Sequence, residues 1–258
     1  MSRFTEQALV LSLVPYRDLD LMVNLLCEGR GLVSCKAPSA RNSQKRFQGG
    51  LDRHCLFEVE LEEKPGRSSA TGRMSLGGAR LLRGFQGLRR TLGGLAAADA
   101  LLEFVVALAR QSAHGLEGTS GEVNPFFTEV LHFLSFLDQA PEAQTTPALL
   151  ASVLRLAAQE GFCQGEARCA VCGAEGAGLC FSRRDLSLHC PQHAPRDATY
   201  RLGPAACQFF AAAPNCQNIP PVALSPLATK ELTVFVEHLY AELSPTRQEA
   251  FKFWRGLQ

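Results

Sequence analysis

Three thiols and an imidazole in this sequence sit at the spacing of a metal site. Cys169 and Cys172 form a CxxC pair, and after a gap of seventeen residues Cys190 and His193 form a CxxH pair. Each tight turn presents two ligands at a suitable separation, and the set matches the four tetrahedral ligands of a structural zinc. Gly173 lets the chain turn back with its amides aimed at the sulfurs, and Pro191 stiffens the second turn. Cys180 and His189 lie within the intervening loop and could replace a ligand; Cys163 is a weaker spare. Four protein ligands leave no position for water, so the expectation is one structural Zn2+ and not a catalytic one. The bland alternative is four unrelated buried residues. A redox CxxC needs a neighbouring βαβ pattern, and none precedes Cys169. Deaminase chemistry needs an HxE element, and the chain has none.

A second group is cationic. Lys36, Arg41, Lys45, Arg46 and Arg53 face one acid, Asp52, and Phe47 is interleaved among them. Cations that neutralise phosphates beside an aromatic ring that stacks on a base are how single-strand binders are built. Phe47 reads equally well as the apolar anchor of a solvated loop. Arg80, Arg83, Arg89 and Arg90 continue the positive run, and the candidate DNA contacts are Lys36, Arg41, Lys45, Arg46, Arg53, Arg83, Arg89 and Arg90. The formal net charge of +1 hides this polarity: residues 1–98 hold 15 Lys/Arg and 9 Asp/Glu, residues 99–258 hold 11 and 16. A basic front end suits an anionic partner, nucleic acid first, with solvated surface charge as the alternative. There is no GxxxxGK[ST] loop, no GxGxxG after a strand, no HExxH and no Gly-x-Ser-x-Gly elbow. Activity on nucleic acid would then come from binding energy, without an enzyme's machinery.

Five strands are expected to position the basic residues. They are Gln7 to Val14, Leu21 to Cys27, Leu32 to Lys36, Cys55 to Glu62 and Met74 to Leu82, with a hairpin turn at Glu28-Gly29-Arg30-Gly31 and another turn over Gly66 to Gly72. The fourth alternates apolar and acidic residues with period two, as a half-buried strand does. The polar stretch APSARNSQKRFQGG between the third and fourth reads as a long loop too polar for a core element. This pattern fits a small closed barrel, with the OB-fold as the leading candidate. From about Leu88 the spacing turns helical. Helices are expected over Leu95 to Ala109, from Asn124-Pro125 to Leu137, and over Ala148 to Glu160, Pro204 to Ala213, Pro226 to Leu243 and Pro245 to Leu257. The expected class is α+β: an N-terminal five-stranded OB-fold barrel for DNA over 1–84, then an all-α domain over 85–258 with a zinc knuckle inserted at 163–196.

A hydrophobic content of 46% with 20% charged residues describes a globular chain with an ample core, so disulfide staples are not needed. Cys27, Cys35, Cys55, Cys207 and Cys216 are scattered in apolar or loop contexts, where free thiols behave as small hydrophobes. The run Leu95 to Leu108 is broken by Asp99 and Glu103, and the N-terminus lacks a signal-peptide pattern. A cytoplasmic protein without a membrane partner is expected.

The segment EQALVLSLVPYRDLDLMVNLLCEGRGLVSCKAPSARNSQKRFQGGLDRHCLFEVELEE, the CAVCG…FS…CPQH knuckle and the final helix pair together resemble the bacterial recombination mediator family RecO. The likeness covers nearly the whole length; single motifs are loose, but their order is specific. It implies a nucleoid-associated protein that binds single- and double-stranded DNA and anneals complementary strands without ATP. It also implies work with RecR to load RecA onto DNA coated by single-strand-binding protein, and it aligns the family's basic loop with Lys36 to Arg53. The region from Cys163 onward departs from the family, with extra cysteines and a histidine as fourth ligand. Two rival readings differ in class: a zinc-stabilised protein-interaction adaptor with only incidental DNA binding, and a zinc enzyme acting on nucleic acid.

Overall fold

A computed structural model describes residues 2–43, 45–47, 49–64, 73–111, 123–176, 178–181, 186–196, 198, 200–215, 224–244 and 248–258. The turn expected over Gly66 to Gly72, Cys216 and the Pro245 start of the last helix lie outside them. The described residues divide into two compact units, Met1–Gln86 with Leu108–Leu134, and Gly87–Ala107 with Ser135–Gln258.

The first unit holds a closed barrel in the order β1-β2-β3-β5-β4, with β1 at Ser2–Tyr16, β2 at Asp20–Cys27, β3 at Gly31–Ala37, β4 at Leu56–Lys64 and β5 at Arg73–Arg83. All five expected strands are present, and the arrangement is OB-like. Alternation supplies the inside: Phe57, Val59 and Leu61 of β4 face the core with Val23, Leu25, Cys35 and Leu76, while Glu58, Glu60 and Glu62 alternate outward. β1 is long enough to serve two neighbours, its first half pairing with β4 and its second with β2. A β-bulge between Val10 and Ser12 turns it from one to the other. The β2–β3 turn closes on Gly31, whose φ of 67° is a left-handed value that suits glycine.

β3 and β5 share one parallel pair, Lys36 with Ser75, which leaves a seam. The polar loop after β3 fills it, and here the sequence reading needs correction. Phe47 is 2% exposed, packs in the barrel core with Ala40, and makes a parallel bridge to Ala79. The Ala79 amide donates to the Arg46 carbonyl at 2.9 Å, so the loop acts as a partial extra strand. A stretch judged too polar for the core supplies one of its largest side chains. Burying a phenylalanine stabilises by about 1.5–3 kcal/mol, enough to outweigh the loop's polar neighbours.

The helices are α1 (Leu92–Gln111), α2 (Pro125–Leu137), α3 (Thr145–Gln159), α4 (Pro204–Ala212), α5 (Pro226–Leu243) and α6 (Glu249–Gly256). Asn124 caps α2, its Oδ1 accepting from the Phe126 and Phe127 amides at 3.0 and 3.3 Å. Ser225 caps α5 by accepting from the Ala228 amide at 3.2 Å, with Pro226 at the favoured first position. The start of α6 takes its cap from another helix: Glu103 of α1 accepts from the Phe251 amide at 3.1 Å. Tyr240 donates to the Ala100 carbonyl at 2.7 Å and stacks on Phe251 at 4.2 Å. By length and composition α1 is apolar enough to span a bilayer, but 67% of its most apolar window is buried within the protein, as in a core helix.

The expected all-α character of the second unit also needs an addition. Leu179–Phe181 (β6), Leu188–His189 (β7) and Tyr200–Leu202 (β8) form a three-stranded sheet in the order β7-β6-β8. Strands of two or three residues are too short to show a period. The sheet is anchored by Phe181, which packs edge-on to Phe235 of α5 at 4.9 Å and stacks on Tyr200 at 5.4 Å. Among the described residues the cysteines are free thiols, and burial pushes that of Cys27 well above its ordinary range.

Candidate metal centre and nucleic-acid interface

The small sheet brings the four expected ligands together. The Sγ atoms of Cys169, Cys172 and Cys190 and a ring nitrogen of His193 all lie within 4.8 Å of one another. Cys172 Sγ stands 3.8 Å from Cys190 Sγ, and His193 Nδ1 stands 3.7 Å from Cys169 Sγ and 3.3 Å from Cys190 Sγ. Thiolate–metal bonds of about 2.3 Å in a tetrahedron imply sulfur–sulfur edges of roughly 3.8 Å, so the cluster already has the size of a metal site.

Local backbone chemistry holds this shape. The Gly173 amide donates to the Cys169 carbonyl at 2.8 Å and the Cys169 amide to the Ala174 carbonyl at 2.9 Å, a turn completed by Gly173 at φ 70°. His193 closes the second turn by donating its amide to the Cys190 carbonyl, and Ala170 ties the first turn to β7 through the Leu188 carbonyl. Desolvation pushes the Cys169 thiol up, but the amides of Cys190, Cys172 and Val171 with the His193 ring outweigh it and hold it down at about 5. A thiol that ionises this readily is ready to ligate. The Cys172 thiol is raised: the Ala174 amide favours its thiolate, against desolvation and the neighbouring Cys169 and Cys190 sulfurs. The three spares sit elsewhere. The Cys180 thiol points at the Gly178 carbonyl, His189 is buried on β7 opposite Cys180, and burial pushes the Cys163 thiol up to about 12.

The basic residues divide into separate groups. At the tip of the β1–β2 hairpin, Lys36 Nζ lies 2.7 Å from Asp20 and Arg41 donates to the Asp18 carbonyl at 3.1 Å. The Lys36 hydrogen bond, with the Ser39 amide, holds the Asp20 carboxyl below its ordinary value. Lys45 and Arg46 border a different groove of about 610 Å³, lined also by Arg3, Arg80, Glu58, Glu60 and Glu62. Its charge is mixed: Arg80 pairs with Glu58 at 3.1 Å and Arg3 with Glu62 at 2.8 Å, and Arg46 donates to the Pro38 carbonyl at 2.6 Å. Arg53 is exposed at the end of the loop, and Arg83 closes β5 with its guanidinium 4.6 Å from the centre of the Phe85 ring. Arg89 and Arg90 follow in a short 3-10 helix of the second unit.

Phe47 is therefore withdrawn as a ring for stacking a base, because it is buried, although the Arg46 guanidinium lies 5.4 Å from its centre. The residue missed is Tyr16, 40% exposed, with the Arg17 guanidinium 5.4 Å and the Lys36 ammonium 5.5 Å from its ring centre. The signal that could have found it is the Pro15-Tyr16-Arg17 run itself, an aromatic beside a cation where the first strand ends.

Residues 1–73 match the family described as "Recombination protein O N terminal". Over longer spans the chain is similar to curated proteins named "DNA repair protein RecO". That of Anaeromyxobacter dehalogenans strain 2CP-C is 31% identical over 249 residues, covering 92% of both chains. That of Nitratidesulfovibrio vulgaris strain DP4 is 34% identical over 206 residues, covering 77% of both. A third, from Anaeromyxobacter sp. strain K, is 29% identical over 256 residues with 92% of each chain covered.

Proposed function

Because this chain belongs to the RecO family of DNA repair proteins, we propose that it is a non-enzymatic mediator of recombinational repair whose barrel, residues 1–84 in the sequence division, carries the DNA. It binds single- and double-stranded DNA and anneals complementary strands without ATP. With RecR it helps load RecA onto DNA coated by single-strand-binding protein, which places it with the chromosome in the cytoplasm. The observation that carries the reading is the convergence of Lys36 and Arg41 on one exposed hairpin tip of an OB-like barrel. Cations held on a rigid scaffold neutralise the phosphates of two strands at once, and base pairing then drives annealing. No bond is made or broken by the protein, so no catalytic group is required.

The metal of the Cys169, Cys172, Cys190 and His193 cluster is zinc in this reading. The soft donor set and the tetrahedral spacing suit it, and four protein ligands close the site to water. The ion's contribution is structural: it cross-links the two ligand turns within the helical domain.

The test is strand annealing by the full chain and by a Lys36→Glu, Arg41→Glu variant, followed by RecA loading with RecR present. Loss of both activities with an unchanged unfolding midpoint supports the mediator. Normal loading by a variant that no longer holds DNA would make the chain an adaptor between proteins.

A further inference from the structure

We propose that Tyr16 is a base-stacking platform for single-stranded DNA, set at the hairpin-tip edge of the outer β1–β3 face; this rests on the DNA-binding reading above. Cross-strand pairing arranges that face in rows. Ser12, Asn24 and Ser34 form one polar row joined by side-chain hydrogen bonds. Val14, Met22 and Lys36 form the next, and Tyr16 opposite Asp20 the last. Val14, Met22 and Tyr16 are all exposed, as is Leu19 in the turn. An apolar step with an aromatic ring at its edge is costly to leave in water unless something covers it.

The surrounding charge selects the covering partner. Arg17 and Lys36 flank the ring at 5.4 and 5.5 Å, and Arg41 is bonded to the Asp18 carbonyl in the same turn. Both distances lie within the roughly 6 Å of a cation–π contact, so positive charge stands beside the ring, and Tyr16 is still 40% exposed. Arg30 and Phe4 differ: there the guanidinium stands 3.7 Å from the ring centre, and that face is taken. Among the described residues Phe253 is the other exposed aromatic side chain, and it carries no such pair of cations. A partly exposed ring with two cations beside it fits an unpaired base and the phosphates on either side of it. A duplex keeps its bases stacked inside and offers the ring nothing comparable. Strands β2 and β3 with the β1–β2 loop are also where OB barrels receive oligonucleotides.

The experiment uses the full chain as wild type, Tyr16→Ala, Tyr16→Phe and Tyr16→Trp. The probes are an oligothymidylate, a same-length oligonucleotide of abasic sites, and a duplex, each titrated across a salt series. Tyr16→Ala should weaken oligothymidylate binding by roughly five- to a hundredfold, the worth of one stacked base. Its salt slope and its affinity for the abasic and duplex probes should stay at wild-type values, and Tyr16→Phe should restore most of the loss. In Tyr16→Trp the new indole should be quenched by oligothymidylate and not by the abasic strand; the native Trp254 is fully buried and contributes a constant background. Undiminished oligothymidylate binding by Tyr16→Ala, or equal loss on all three probes, overturns the platform. If that happens while Lys36→Glu with Arg41→Glu still lowers the salt slope, DNA binding stands and the platform alone falls. A wild type that binds none of the probes overturns both.

Discussion

Two aromatic residues beside basic ones met opposite fates, and the difference lies in single contacts. Phe47 is committed to the seam between β3 and β5, where Ala79 and the barrel core receive it. Phe47→Ala should cost about 3–5 kcal/mol of stability, read as a lower midpoint in urea unfolding, because truncation leaves a cavity under the loop. Tyr16 points the other way because of one irregularity. Ala8 and Val10 face inward, and strict alternation would carry Ser12, Val14 and Tyr16 inward after them. The bulge between Val10 and Ser12 inverts that parity, so Leu13 packs on the core and Tyr16 emerges. A one-residue slip exchanges the faces of everything beyond it. That slip is not legible in a run as uniformly apolar as ALVLSLV. The clustering of Cys169, Cys172, Cys190 and His193, by contrast, follows the spacing, since CxxC and CxxH turns each carry their geometry in their sequence.

At the scale of elements, strands and helices with strong periodicity or a proline start could be read directly, β4 by its alternating glutamates and α5 by Pro226. What could not be read depends on partners distant in sequence. α6 begins at Glu249, with Glu103 of α1 accepting from its first amides. Desolvation raises the Glu103 carboxyl, against those amide bonds, so a carboxylate is held in a place that disfavours its charge. Glu103→Ala should lower stability by about 1–2 kcal/mol and loosen α6 first, seen as faster hydrogen exchange at Phe251 and Trp254. Asn124→Ala at the start of α2 should cost about 1 kcal/mol through the same kind of cap. The knuckle responds differently. Stripping the proposed zinc with a chelator should erase exchange protection at Gly173 and His193, whose amides close the ligand turns. Phe181 should keep β6 docked on α5, so the helical circular dichroism signal should hardly change. Collapse of that signal on chelation would show that the metal supports the whole helical domain.

For the molecule as a whole, the balance of charge sets how the proposed DNA binding would work. With a formal net charge of +1, long-range attraction is weak, and binding must come from cations gathered locally. Not all the front-end cations are equally available. Arg3 and Arg80 answer the outward glutamates of β4, and a phosphate in that groove would meet Glu58, Glu60 and Glu62. At the hairpin tip the acid beside Lys36 is Asp20, and Arg41 is held by a neutral carbonyl. Each phosphate contact adds roughly 0.7 to the slope of log affinity against log salt for a single strand. Removing Lys36 and Arg41 together should therefore reduce that slope by about 1.4, while Arg3→Ala with Arg80→Ala should leave it nearly unchanged. Asp20→Asn should tighten binding at low salt, since it removes the charge that competes with phosphate for Lys36. A slope that falls instead with the Arg3 and Arg80 pair would move the DNA track to the β4–β5 side of the barrel.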